Sequence, residues 1–157
     1  MPSKPRILAV DDEDRIREIL CYMLGKAGYH IEGASSGKEA LGLLKEKEFD
    51  VVLLDIVMPD LGGMAVLKEI KEQYPMTEVI LITAHASVET AVEATRNGAQ
   101  GYVTKPFNFK ELGEVVRKAY EKKQLNKKAA ALEHLVERGG FFPDVIAERK
   151  SRACTAR

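Results

Sequence analysis

The chain is poor in cysteine, in net charge and in long apolar runs, and each shortage excludes something. Cys21 and Cys154 stand far apart, with no CxxC and no histidine spacing that would build a zinc site. Neither a disulfide framework nor structural zinc is expected, and the thiols read as buried or incidental. Lysine plus arginine and aspartate plus glutamate both total 24, so the formal net charge is zero. Nothing global therefore points to nucleic acid or to an anionic membrane surface. No apolar run approaches a membrane span, and MPSKPR followed by four apolar residues lacks the core of a signal peptide. A soluble, cytoplasmic protein without membrane partners is predicted. Its 157 residues allow one domain with a substantial core, plus an appendage.

What is present centres on VVLLDIVMPD, residues 51–60. Four consecutive apolar residues, two of them β-branched, predict a strand buried on both faces, as in a parallel sheet covered by helices. Asp55 then stands at its carboxyl end, where ligands bind in open α/β sheets. A turn-forming or helix-capping aspartate fits the local sequence too.

The rest of the chain alternates in the same way. Ile7–Val10 is a short apolar run that ends in Asp11, Asp12, Glu13 and Asp14. Ile16, Ile19, Leu20, Met23 and Ala27 recur at helical spacing before Gly28, a stop signal. Tyr29–Ala34 predicts a weaker second strand, and Ser35, Ser36 and Gly37 open a helix carrying Ala40, Leu41 and Leu44. After Asp60, Gly62 and Gly63, a third helix places Val66, Leu67 and Ile70 on one face. Glu78–Thr83 predicts a fourth strand, and residues 86–97 a helix with Val88, Ala91, Val92 and Thr95 at helical spacing. Gly101–Thr104 is a short fifth strand followed by Lys105 and Pro106, and Phe109–Tyr120 a final amphipathic helix. Five strands alternating with five helices predict a doubly wound α/β sandwich, a (βα)5 fold of flavodoxin type. The order 2-1-3-4-5 is a common topology for it, with the switch point between strands one and three. Asp11 and Asp12 would end one of those strands and Asp55 the other.

Three carboxylates in one crevice repel each other unless a proton or a cation balances them. Hard oxygen ligands with room for water suit Mg2+. The remaining strand ends add Thr83, a hydroxyl, and Lys105, a cation. Carboxylate nucleophile, metal, hydroxyl and lysine together can carry out phosphoryl transfer to an aspartate.

These residues, with the stretches LLDIVMPD, LITAH and YVTKPF, make residues 4–120 resemble the receiver domain of two-component response regulators. The resemblance implies that Asp55 accepts a phosphoryl group from a sensor histidine kinase. It implies Mg2+ held by Asp12, Asp55 and the backbone carbonyl of Val57, with Asp11 acting through a metal-bound water. Lys105 would pair with the phosphoryl oxygens and Thr83 would hydrogen-bond to one of them. Tyr102 matches the aromatic switch position, although simple core or edge packing would also explain a tyrosine there. Val57 and His85 match positions that influence how long the phosphate survives, and Lys105-Pro106 matches a bond that is cis in the family. The implied activity is a signalling switch with slow self-dephosphorylation, which changes the face formed by the fourth helix, last strand and fifth helix. That face is also where a homodimer would form. TKPF and the wording of the fourth helix most resemble receivers attached to transcriptional activators, so DNA would be reached only through an output domain of a longer protein.

Two other readings fit less well. Phosphatases of the haloacid dehalogenase type resemble DxDx[TV] at their nucleophile, whereas Asp55 is followed by Ile56, Val57 and Met58. A constitutive dimerisation module would not need every acceptor-site residue. The receiver is expected over residues 1–120, and residues 121–157 as a polar helical extension and disordered tail without an output domain. Leu125, Ala129, Leu132 and Val136 follow a four-three-four spacing that would let the extension pair with a second copy, against Lys118 and Lys122 at the preceding seam positions.

Overall fold

The computed structural model describes residues 4–58 and 61–139, with side chains described up to residue 132. The expectation of disorder past Gly140, Cys154 within that stretch, and the loop residues Pro59 and Asp60 lie outside the described residues. The chain divides into two units, Met1–Lys123 and Gln124–Arg157.

The described chain alternates strands and helices as the apolar runs predict. In chain order these are β1 (Arg6–Val10), α1 (Asp14–Lys26), β2 (His30–Ala34), α2 (Gly37–Glu46) and β3 (Val51–Asp55). There follow α3 (Gly63–Gln73), β4 (Glu78–Thr83), α4 (Val88–Arg96), β5 (Gly101–Thr104) and α5 (Phe109–Gly139). The five strands pair in parallel in the order β2-β1-β3-β4-β5. The doubly wound sheet and its switch point between β1 and β3 are thus as expected from the sequence.

Side-chain parity along the strands explains the layers. Val52 and Leu54 of β3 join Leu8, Val10, Val79 and Leu81 in a core covered by α2, α3 and α4. Val51 and Leu53 join Ile7, Ala9, Ile80, Ile82 and Val103 in a second core covered by α1 and α5. Successive strand residues point to opposite faces, so an unbroken apolar run is what a sheet covered on both sides requires. All of Val51–Leu54 are fully buried.

Local signals set the helix limits. Gly28 and Gly98 adopt φ of 101° and 98°, a left-handed conformation that stops α1 and α4 and suits glycine best. Ser36 caps α2 by accepting from the Glu39 amide at 3.1 Å. Ser87 caps α4 in the same way, so that helix begins at Val88, two residues later than its apolar spacing suggested.

Two helices depart from the simple amphipathic picture. In α4 only Ala94 is buried, while Val88 and Val92 are 80% and 45% exposed. In α1 the buried residues are Leu20 and Leu24, and Ile19 is exposed. Within the second unit the helix continues to Gly139, with Leu125, Ala129 and Leu132 exposed. Among the described residues no helix is long and apolar enough to cross a membrane.

Candidate functional site

The site is assembled at the carboxyl ends of β1, β3, β4 and β5. Asp11 follows β1, Asp55 closes β3, Thr83 closes β4, and Lys105 follows β5. Asp11, Asp55 and Thr83 are delivered by strands whose side chains are almost all buried, whereas in β5, which precedes Lys105, only Val103 is. Asp11, Asp55 and Thr83 are themselves buried, while Asp12 is exposed. Each of Asp11, Asp12 and Asp55 offers a carboxylate oxygen, and these atoms lie within 4.8 Å of one another.

Lys105 bridges two of the three acids. Its Nζ donates to Asp11 Oδ2 at 2.8 Å and to Asp55 Oδ2 at 3.3 Å, and Glu13 stands 4.0 Å away. Burial is the largest influence on this lysine and works against its charge, but the two carboxylates outweigh it and hold its pKa above the usual value. The Asp55 carboxyl is also pushed up, first by burial and then by the charge of Asp11. Lys105 and the Val57 amide, which donates to Asp55 Oδ1 at 3.2 Å, only partly offset this. The site therefore carries more negative charge than its lysine neutralises. Carboxylate oxygens without a full complement of positive charge are suited to a hard divalent cation. The donor set of three carboxylates fits Mg2+, and Val57, two residues past Asp55, is 61% exposed.

Close backbone approach also shapes the pocket. Gly63, the first residue of α3, donates its amide to Ile56 O at 2.8 Å. A Cβ there would lie 2.4 Å from the Asp55 carbonyl oxygen and 2.5 Å from Ile56 Cα. Any side chain at this position must displace the segment that carries Asp55. Gly62 and Gly63 stand out in the sequence, but which of the two is constrained is visible only in three dimensions.

The other expected residues are placed as follows. Thr83 Oγ1 accepts from the His85 amide at 3.0 Å, and the His85 side chain is exposed. Lys105-Pro106 is cis. Tyr102 is half-buried and packs against the α2, α3 and α4 core, and its hydroxyl meets Thr90 Oγ1 at 2.6 Å. Thr90 also completes the α4 cap, accepting from the Ser87 amide at 3.2 Å and donating to Ser87 O at 3.1 Å. Thr90 Oγ1 also lies 3.0 Å from Ser87 Oγ, so one hydroxyl links the α4 cap to Tyr102.

Sequence reasoning did not single out Thr90 or Arg17. The S-x-x-T spacing of a cap was the available signal for Thr90. Arg17 Nη1 donates to the Asp11 carbonyl at 2.6 Å, a contact without a sequence signature.

Comparisons with known proteins identify the family and agree with the fold. A family model described as "Response regulator receiver domain" matches residues 7–117. Regulatory protein AtoC of Escherichia coli (strain K12) is 45% identical over 127 residues, which cover 81% of this chain and 28% of AtoC. The chain thus spans under a third of that relative's length. A CheY-like response regulator receiver domain protein from Methanospirillum hungatei JF-1 superposes with a TM-score of 0.76 at 31% identity, covering 79% of this chain and 99% of the other. The response regulator protein TrrA from Thermotoga maritima, solved in complex with Mg(2+)-BeF, gives a TM-score of 0.68 at 41% identity, covering 73% and 98% of the two chains.

Proposed function

The chain belongs to the response regulator receiver domain family, and on that premise we propose that it is a phosphorylation-dependent switch whose phosphoacceptor is Asp55. The observation that carries the reading is the acid triad within 4.8 Å, bridged by Lys105 at 2.8 and 3.3 Å. In the proposed reaction an Asp55 carboxylate oxygen attacks the phosphorus of a phosphohistidine on a sensor kinase. The phosphorus–nitrogen bond breaks, the imidazole leaves with the electron pair after its ring has taken a proton from solvent, and an acyl phosphate remains on Asp55. Burial and the Asp11 charge raise the Asp55 pKa, so a cation beside it favours the ionised carboxylate that attacks.

Asp12, Asp55 and the Val57 carbonyl are the groups proposed to hold Mg2+, with Asp11 acting through a metal-bound water, and TrrA was solved in complex with Mg(2+)-BeF. When bound, the ion supplies positive charge for the clustered carboxylates and the incoming phosphoryl oxygens. Lys105, already poised between Asp11 and Asp55, turns an ammonium proton toward a phosphoryl oxygen. Thr83 donates its hydroxyl to another. Val57 and His85 occupy the positions that influence how long the acyl phosphate survives.

Readout follows from Thr83 and Tyr102. Movement of the Thr83 hydroxyl toward the phosphoryl group vacates space into which the Tyr102 ring turns, which breaks its bond to Thr90 at the start of α4. The α4-β5-α5 face then changes shape, altering association with a second copy or with an output module of a longer regulator. The chain is thus a switch that modifies itself, acting in the cytoplasm beside its kinase, with slow loss of its own phosphate. The receiver occupies residues 1–120, and residues beyond 121 extend it.

The test uses the full chain with Mg2+ and acetyl phosphate, followed by intact mass. The wild type gains one phosphoryl group and Asp55→Asn gains none. A wild type that stays unmodified with acetyl phosphate and with a panel of kinases ends this reading.

A further inference from the structure

We propose that Arg17 is a positioning residue for the cation site, holding the Asp11-Asp12 turn in place through the backbone carbonyl of Asp11. The proposal rests on the reading of Asp11, Asp12 and Asp55 as that site. β1 ends at Val10, so beyond it the strand ladder no longer supplies hydrogen-bond partners as a matter of course. Asp11 nevertheless has all its polar atoms engaged. Its amide donates to Ala34 O at 3.1 Å. One carboxylate oxygen accepts from the Glu13 amide at 2.9 Å and the other from Lys105 at 2.8 Å. The carbonyl takes Nη1 of Arg17 at 2.6 Å. The same guanidinium pairs with the carboxylate of Asp14 through Nη2. One planar fork thus ties the end of β1 to the first turn of α1, across the residues that carry Asp11 and Asp12.

The path of the arginine stem is also built in. Arg17 is 20% exposed, and its chain passes over Gly33 of β2, the strand paired with β1 at Ala9. A Cβ on Gly33 would lie 3.3 Å from Arg17 Cδ. Absence of a side chain there leaves the stem its route to the Asp11 carbonyl.

A cation beside three carboxylates can act in two opposed ways. As bulk charge it competes with a metal, so its removal tightens metal binding. As a positioning group it orients ligands, so its removal loosens binding. The observed bonds go to the Asp11 carbonyl and to Asp14, which the bulk-charge role does not require. A two-acceptor grip needs the rigid guanidinium fork, which lysine does not reproduce.

Mg2+ titration calorimetry on the full chain decides between the two, with thermal midpoints recorded in chelator to separate folding from binding. Arg17→Met is expected to weaken Mg2+ about tenfold, the low end for groups that orient metal ligands. Arg17→Lys, which keeps the charge, is expected to weaken it nearly as much and also covers the case in which the methionine variant does not fold. Gly33→Ala should weaken Mg2+ less, and should have no further effect in the Arg17→Met background. Unchanged or tighter binding in Arg17→Met, full affinity in Arg17→Lys, or an equal Gly33→Ala effect in both backgrounds overturns the proposal. A lower thermal midpoint with unaltered Mg2+ affinity does so as well. Wild-type binding that Asp55→Asn abolishes but the Arg17 variants leave intact would sink this inference alone. Absence of Mg2+ binding by the wild type would sink the site reading along with it.

Discussion

Two aspartates bracket β3, and they are handled in opposite ways. Asp50, at the foot of the strand, receives the Arg6 amide at 2.7 Å on one oxygen and Lys123 on the other. Lys123 is 2% exposed and also reaches Glu48 at 3.1 Å. Nearby, the buried Glu78 faces Lys71 and Lys122, each at 3.9 Å. Three acids at the foot thus meet three lysines. Asp55, at the head, shares Lys105 with Asp11, while a carboxylate oxygen of Asp12 lies within 4.8 Å of theirs. The foot is balanced and structural. The head is left short of positive charge, which costs stability and suits it to a cation.

The comparison can be broken from either end. The largest stability effect is expected at the foot: Lys123→Met should destabilise the chain by about 3 kcal/mol, the low end for breaking a buried pair, because Glu48 remains largely exposed. Thermal melting should show this as a drop of roughly 10 °C, while the folded fraction still takes phosphate from acetyl phosphate. A Lys123 variant with native stability and impaired phosphorylation would reverse the roles assigned to the two ends. Next in size is the response to metal. Mg2+ at ten times its dissociation constant should raise the unfolding free energy of wild type and Lys123→Met alike by about 1.4 kcal/mol. Asp55→Asn should gain almost nothing, and an equal gain there would place the metal elsewhere.

The smallest expected effect concerns pH without metal. Asp55 holds its proton more tightly in the folded chain than in the unfolded one, through burial and then the charge of Asp11. Between the ordinary carboxylate pKa and the raised one, the native state binds more protons, so stability falls as pH rises through that window. Urea titrations in chelator should show Asp55→Asn lacking this decline and exceeding the wild type in stability at neutral pH. A wild type whose stability rises through the same window would contradict the picture of an undercompensated head.

Much of the architecture was legible because burial on both faces leaves a plain trace: no polar residue interrupts Val51–Leu54, and its parity assigns residues to both cores. The candidate site was legible because its side chains occupy the residues where strands stop. Lys123 escaped notice because it lies in a polar stretch that reads as a solvated helix face, and only the fold brings Asp50 and Glu48 to it. Arg17 was hidden for the same reason, its partner being a carbonyl that no sequence displays. On α4 the spacing of Val88 and Val92 indicated a helix correctly, yet those side chains face outward and the smaller Ala94 is the buried contact.

That sparse anchoring of α4 has an energetic meaning. With one small side chain buried, the helix gains little from the hydrophobic effect, and its placement leans on the Ser87 cap and on the Thr90–Tyr102 hydrogen bond. Interactions of that size are each worth about 1 kcal/mol, comparable with thermal energy rather than with the stability of the sheet. In native-state hydrogen exchange the α4 amides should open in local excursions long before those of β3. Under the proposed phosphorylation of Asp55, the same weakness makes α4 the element expected to move while the sheet beneath it stays folded.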